Sequence, residues 1–294
     1  MPATVDNQHI QQLIQHELKE LPTLPAVVLG IMQTANDPNT SATNLKELIM
    51  TDQAFAARIL RLVNSPYYGF SGKITTITHA IVVLGFNTVR NLAASLGVSK
   101  GFGVAPAPTA LDLNAFWAHS VATACAASVV GRRKSLSAKV LEEVFIGGLL
   151  HDLGKLFLDR YLPDQYGNTI LFASENNCSI WEAEKECLGI SHTEIGKQVA
   201  EKWNIPTATT AMIAYHHEPG LSEEYMVSTG IVHAADYLSR KLAIGGAGDS
   251  IEPVLSPDID QWLSFLPNTW DAIELETQNK YAGAAGLLQA MLGK

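Results

Sequence analysis

Apolar residues recur every three to four positions along most of the chain, and no stretch alternates apolar and polar as a half-buried strand would. The expected fold is therefore all-α. Phe55, Ile59, Leu60 and Val63 fall on one stripe of a helix over residues 53–64. The same spacing predicts helices over 7–20, 24–36, 43–50, 75–84 and 86–98, with Asn36-Asp37-Pro38 stopping the second and Gly85 separating the last two. Residues 101–110, GFGVAPAPTA, are rich in Gly and Pro and read as a linker. Beyond it a long helix over 111–131 closes on Arg132-Arg133-Lys134, the charge that a helix C-terminus favours, and a further helix leads into His151. Ser191 and Glu194 have the S-x-x-E spacing of a capping box and open a helix to about Trp203. Pro206 is expected at the first position of the next helix, which runs toward His216 and His217 and stops by Pro219. A helix over 225–243 carries His233 and Asp236 and ends at Gly245-Gly246. Ser256-Pro257 opens another, and the Ala- and Leu-rich end forms a last one. The expected domains are 1–104, 105–247 and a C-terminal helical cap over 248–294.

Composition narrows the partners. With 294 residues, 47% of them apolar, the chain can bury a sizeable core. Its 20 basic and 29 acidic residues give a formal charge of −9, which argues against nucleic acid as a partner, since phosphate-backbone binders gain affinity through Lys and Arg clusters. No apolar run is read as long enough to span a bilayer, and the start, MPATVDNQHIQQL, lacks a signal-peptide layout, so the expectation is a cytoplasmic protein without a membrane partner. Cys125, Cys178 and Cys187 show no C-x-x-C spacing, which suggests neither a disulfide framework nor a thiolate zinc site.

The chemistry concentrates around GGLLHDLGKLF, residues 147–157, where a buried carboxylate needs a positive partner. His119, His151, Asp152, His192, His216, His217 and Asp236 stand out, spread over several predicted helices. Adjacent helix residues point about 100° apart, so His151 and Asp152 do not serve one ion from one direction but suit two, the carboxylate bridging them. Ala115, Ala122 and Ala126 share the His119 face, and Gly147 and Gly148 precede His151, so neighbouring helices can approach closely. Plainer readings stand beside this one. His119 or His192 would be hydrogen-bonded core residues, His216 and His217 would favour a helix dipole, Asp152 would pair with Lys155, and Asp236 would accept from His233. Residues 148–155 are not a Walker A loop, because five residues separate the glycines and Leu156 stands where Ser or Thr is required. GFG at 101–103 follows no strand and lacks the third glycine of a dinucleotide fingerprint.

LLHDLGK, with a His before it and further His residues and an Asp after it, resembles the HD superfamily of metal-dependent phosphohydrolases. ELPTLPAVV at 20–28, LKELIMTDQAFAARILRLVNSPYYG at 45–69 and ITTITHAIVVLG at 74–85 resemble more particularly the HDOD family, the HD-related output domain of bacterial signalling proteins, over roughly residues 17–240. The resemblance implies an HD-like helical bundle, with an N-terminal HDOD subdomain and a metal-binding subdomain over 105–247. It implies metal ligation by His119, His151, Asp152, His192, His216, His217 and Asp236. Many HDOD domains are signalling or scaffold modules that have lost such ligands, whereas this set is complete for two ions, as in the HD-GYP phosphodiesterases. After His216-His217-Glu218, however, the chain reads PGLSEEY and has no GYP tripeptide, so cyclic di-nucleotide hydrolysis is not carried over. Ala115 stands where some relatives place an extra carboxylate, which does not favour a third ion.

Two functions follow as expectations. In the first, two divalent ions bind a phosphate ester and activate water for in-line attack, with Asp152 and Lys155 in the catalytic machinery and Lys155 on a non-bridging oxygen. The N and O ligand set suits Fe, Mn, Zn, Ni or Co, and the resemblance points to iron. In the second, the same site holds metal or a nucleotide without turnover, and the N-terminal helices relay its state to a signalling protein partner, with Asn64-Ser65 and Tyr67-Tyr68 either as a structural joint or as a simple helix end packed by aromatics.

Overall fold

The computed structural model describes residues 7–34, 41–70, 72–102 and 109–292, and among these there is no strand. Helices α1 (Asn7–Glu20), α2 (Ala26–Thr34), α3 (Ala42–Met50), α4 (Gln53–Val63), α5 (Ile77–Leu84) and α6 (Phe86–Gly101) lie close to the predicted spans. The predicted stop of α2 at 36–38 and most of the linker at 101–110 lie outside the described residues. There follow α7 (Leu113–Arg133), α8 (Ala138–Leu150), α9 (Leu153–Tyr161), α10 (Pro163–Asn176), α11 (Ile180–Leu188) and α12 (His192–Lys202). The chain is completed by α13 (Thr207–Tyr215), a 3₁₀ turn at Pro219–Leu221, α14 (Met226–Lys241), α15 (Pro257–Leu263), α16 (Pro267–Gly283) and α17 (Ala285–Met291).

The chain divides into two compact units, Met1–Pro22 with Val104–Glu274, and Thr23–Gly103 with Leu275–Lys294. The segment 248–294, expected to be one cap, is thus shared between them, with the cut inside α16. The reason α1 sides with the later half is visible at its end. Lys202 Nζ donates to the Leu18 and Lys19 carbonyls, each at 2.6 Å, and Trp203 Nε1 donates to the Pro22 carbonyl at 2.9 Å. These bonds supply partners for carbonyls that a helix C-terminus leaves open.

In the unit Thr23–Gly103 with Leu275–Lys294, Asn64 closes α4 and also serves Ile74. Its Nδ2 donates to the Leu60 and Ile74 carbonyls and its Oδ1 accepts from Ile74 N, each at 2.7 Å. The side chain stands in for a backbone strand partner, and Tyr67 and Tyr68 pack edge to face after it.

The other unit is built around α7, buried from Phe116 through Gly131 and packed by α8 and α14. By length and composition α7 is able to cross a membrane, contrary to the expectation that no run reaches that length, but 83% of its most apolar window is buried inside the protein. Small residues let the crossing helices close up: a Cβ on Gly148 would stand 3.0 Å from the Ala124 backbone of α7. Asp112 caps the start of α7, accepting from Asn114 N at 2.8 Å and Ala115 N at 3.1 Å. Both parts of the Ser191/Glu194 capping box form at α12. Replacing Ser191 by Ala is expected to lower stability by about 1 kcal/mol, measured by denaturant unfolding. Pro206 is the N-cap of α13, one position earlier than predicted, because its ψ of 140° is extended.

Candidate metal centre

His119 comes from the second turn of α7, His151 and Asp152 from the junction of α8 and α9, and His192 from the first turn of α12. His216 and His217 follow α13, and Asp236 lies on α14. The junction at His151-Asp152 is where α8 ends and α9 begins, so the two side chains leave in different directions from one short piece of backbone. Close approach of α9 to α12 places Asp152 against His192. A Cβ on Gly154 would lie 1.9 Å from the His192 carbonyl oxygen, which leaves room only for a hydrogen.

The Nε2 atoms of the imidazoles converge. His119 and His151 meet at 3.2 Å, His192 and His217 at 3.2 Å, and His192 and His216 at 3.5 Å. Asp152 lies between these pairs and offers one oxygen to each. Oδ2 is 3.3 Å from His151 Nε2 and 3.7 Å from His119 Nε2, while Oδ1 is 3.3 Å from His192 Nε2 and 3.8 Å from His216 Nε2. Asp236 Oδ1 is 3.1 Å from His119 Nε2 and 3.7 Å from His151 Nε2. Three sets of ligating atoms lie within 4.8 Å of one another: His192, His216 and His217; His119, His151 and Asp236; and His151, Asp152 and His216.

The rings are held from behind. His151 Nδ1 is 2.8 Å from the Gly148 carbonyl, and His216 Nδ1 is 3.0 Å from the Ile213 carbonyl. His192 Nδ1 is 2.6 Å from Glu184 Oε2, and His119 Nδ1 is 3.3 Å from Ser239 Oγ. Carbonyls and carboxylates only accept, and Ser239 gives its proton to the Asp236 carbonyl at 3.0 Å. Each of these Nδ1 atoms therefore carries the hydrogen, and in the neutral ring each Nε2 turns a lone pair inward.

Lone pairs facing one another are relieved by a cation, a metal ion or a shared proton. Burial would lower His151, but Asp152 and Asp236 outweigh it and raise the ring above the ordinary histidine range, and the residues as a set also fit a metal ion. Asp152 Oδ1 is buried and receives no hydrogen bond. Burial, then the neighbouring imidazoles, hold His216 and His217 well below the ordinary histidine range, so both rings are neutral at neutral pH, the form in which an imidazole can bind a metal. Burial would raise Asp152, but His151, Lys155 and His192 outweigh it and keep the carboxyl well below its usual range. Asp236 is likewise held low against burial, chiefly by His119.

The plainer readings divide. Asp152 does pair with Lys155, Nζ to Oδ2 at 2.8 Å, and Lys155 also donates to the Ala247 carbonyl at 2.6 Å. His233 does not serve Asp236: its Nδ1 donates to the His216 carbonyl at 2.7 Å and its Nε2 accepts from Ser256 N at 3.0 Å. Glu184, Tyr166 and Ser239 carried no signal in the sequence, since nothing marks a helical Glu as buried.

Residues 242–256 form a strap over the centre. Gly245, at φ +74°, rests on α7, where a Cβ would meet His119 N at 2.3 Å. Gly246 N donates to the Ala115 carbonyl at 3.0 Å, so the strap lies against the first turn of α7. Asp249 accepts from Ile180 N at 2.9 Å and pairs with Arg240. Beneath it His119, His151, Asp152, His192 and His216 are at most 1% exposed. A cavity of about 410 Å³, lined by Tyr237, Arg240, Lys241 and Glu252, reaches the centre at His119.

A helical bundle that converges imidazoles and two carboxylates from different helices on one buried point defines a protein of the metal-competent His/Asp class. Residues 21–219 match the HDOD domain family, and the chain belongs to it. It shares 98% of its length, at 25% identity and a TM-score of 0.70, with an HDOD domain protein of unknown function from Geobacter sulfurreducens. A "putative phosphohydrolase" from Shewanella amazonensis SB2B has the same fold, at 24% identity and a TM-score of 0.68, over 95% of this chain and 96% of that one. An uncharacterized protein of Treponema pallidum (strain Nichols) is 26% identical over 219 residues, 74% of this chain and 42% of that relative, so the chain spans less than half its length.

Proposed function

We propose that this HDOD protein holds two divalent ions, iron before Mn, Zn, Ni or Co, and hydrolyses a phosphate ester as part of bacterial signalling in the cytoplasm. The observation that carries the reading is Asp152, whose two oxygens face two separate groups of imidazoles while Oδ1 receives no hydrogen bond. His119, His151 and Asp236 would hold one ion, His192, His216 and His217 the other, and Asp152 both. Such a pair supplies Lewis-acid stabilisation of phosphoryl oxygens and a more acidic water. Lys155 has three donors and uses two, on Asp152 and Ala247, which leaves one for a non-bridging phosphoryl oxygen. A nucleotide or other small phosphate compound would arrive through the cavity at His119, where Arg240 and Lys241 line the wall.

A second reading is favoured by the seal over the centre. With five ligands at most 1% exposed, the same ions would serve a module that relays its state to a protein partner without turnover. Elemental analysis followed by assay on a panel of phosphodiesters and nucleotides separates the two. Two metal equivalents per chain and metal-dependent turnover are expected. Full occupancy with no turnover on any substrate would sink the hydrolase and leave the module, and failure to take up metal after loading would reject both.

A further inference from the structure

The centre has a carboxylate that no ligand motif contains. Glu184, on α11, is fully buried, and its Oε2 accepts from both the backbone N of His192 at 2.7 Å and the ring Nδ1 at 2.6 Å. Its other oxygen accepts from the hydroxyl of buried Tyr166 at 3.2 Å. A buried carboxylate is costly unless its oxygens are hydrogen-bonded, and these three donors serve both of them.

The role is not that of a helix cap, because α12 already has one. Ser191 and Glu194 complete their capping box independently of Glu184. What sets Glu184 apart is the ring contact. His151 and His216 rest their Nδ1 hydrogens on neutral carbonyls, of Gly148 and Ile213, whereas His192 rests its own on a carboxylate. A carboxylate behind an imidazole fixes the tautomer, locks the ring and makes the opposite nitrogen a stronger donor to a metal.

Resting on the metal-centre reading, we propose that Glu184 is the positioning residue that orients and strengthens His192 as a ligand to a divalent cation, with Tyr166 holding Glu184 in place. The cation concerned is the one shared by His192, His216 and His217. The carboxylate acts only through His192 and touches no ion itself.

The test compares wild type, Glu184→Gln and Tyr166→Phe as metal-free full-length proteins titrated to equilibrium with Zn²⁺ against a chromophoric chelator. Gln at 184 can still accept both His192 hydrogens through its carbonyl, and the Tyr166 hydroxyl can turn to accept from its amide, so the metal-free fold and melting temperature should hold. Glu184→Gln is expected to weaken one Zn²⁺ site by about 10- to 100-fold and leave the other unchanged. Tyr166→Phe should weaken the same site by less. In Co²⁺-loaded protein the visible d–d bands should shift in Glu184→Gln, a signature that a merely structural role would not move. Wild-type affinity and spectrum in a folded Glu184→Gln protein would overturn the proposal. If Glu184→Gln does not fold, Tyr166→Phe decides alone, and an unchanged site in that variant would also overturn it. Wild type that takes up no Zn²⁺ would bring down the metal reading itself, which is a distinct result.

Discussion

Asp152→Ala is expected to abolish metal uptake, with residual affinity reduced by more than about 100-fold, and with it any hydrolysis. The carboxylate touches imidazoles of both sets through its two oxygens, so its loss would remove a ligand from each. It also leaves Lys155, 2% exposed, with the Ala247 carbonyl as its remaining partner. Stranding a buried ammonium in this way costs about 3–5 kcal/mol. The metal-free variant should therefore melt about 10 °C lower than metal-free wild type. Adding metal should raise the melting temperature of wild type and leave that of the variant unmoved. Calorimetry with and without metal checks both statements, and a variant that retains its full metal content would refute the bridging role.

Gly154→Ala should be nearly as damaging without touching a ligand. The new methyl would sit 1.9 Å from the His192 carbonyl oxygen and 2.9 Å from Gly196 N, so both obstacles are backbone and neither can rotate away. Helices α9 and α12 would have to separate, at about 3 kcal/mol or more, at the upper end of what overpacking usually costs. The separation moves His192 from Asp152, so metal affinity should fall as well. Gly167→Ala is the control: its Cβ meets only Ala110 Cβ at 3.6 Å, an ordinary contact inside α10, and stability should hold or rise slightly. Equal denaturation midpoints for Gly154→Ala and wild type would contradict the close crossing.

Much of this was legible in the sequence because it is local. The 3.6 period located α1 through α8, Ser191 and Glu194 marked the start of α12, and the His-Asp doublet among leucines announced a buried charge. The stretch from Leu153 to Leu188 was not assigned, although it contains α9, α10 and α11. Its buried face includes Lys155, Asp159, Tyr166, Thr169 and Glu184, so a pattern sought in apolar residues is faint there. Glu184 was invisible for the same reason: in IWEAEKECL it looks like any acidic residue on a helix surface, and only the fold brings Tyr166 and His192 to it. The allegiance of α1 depends on Lys202 and Trp203, some 180 positions away, which no local composition encodes.

The strap has a kinetic consequence. It is fastened through Ala115, Lys155, Ile180 and His233, four anchors that belong to four different stretches of the chain. A segment held at four places opens only while those fastenings are undone together, so its amide hydrogens should exchange with solvent far more slowly than those of an ordinary surface loop.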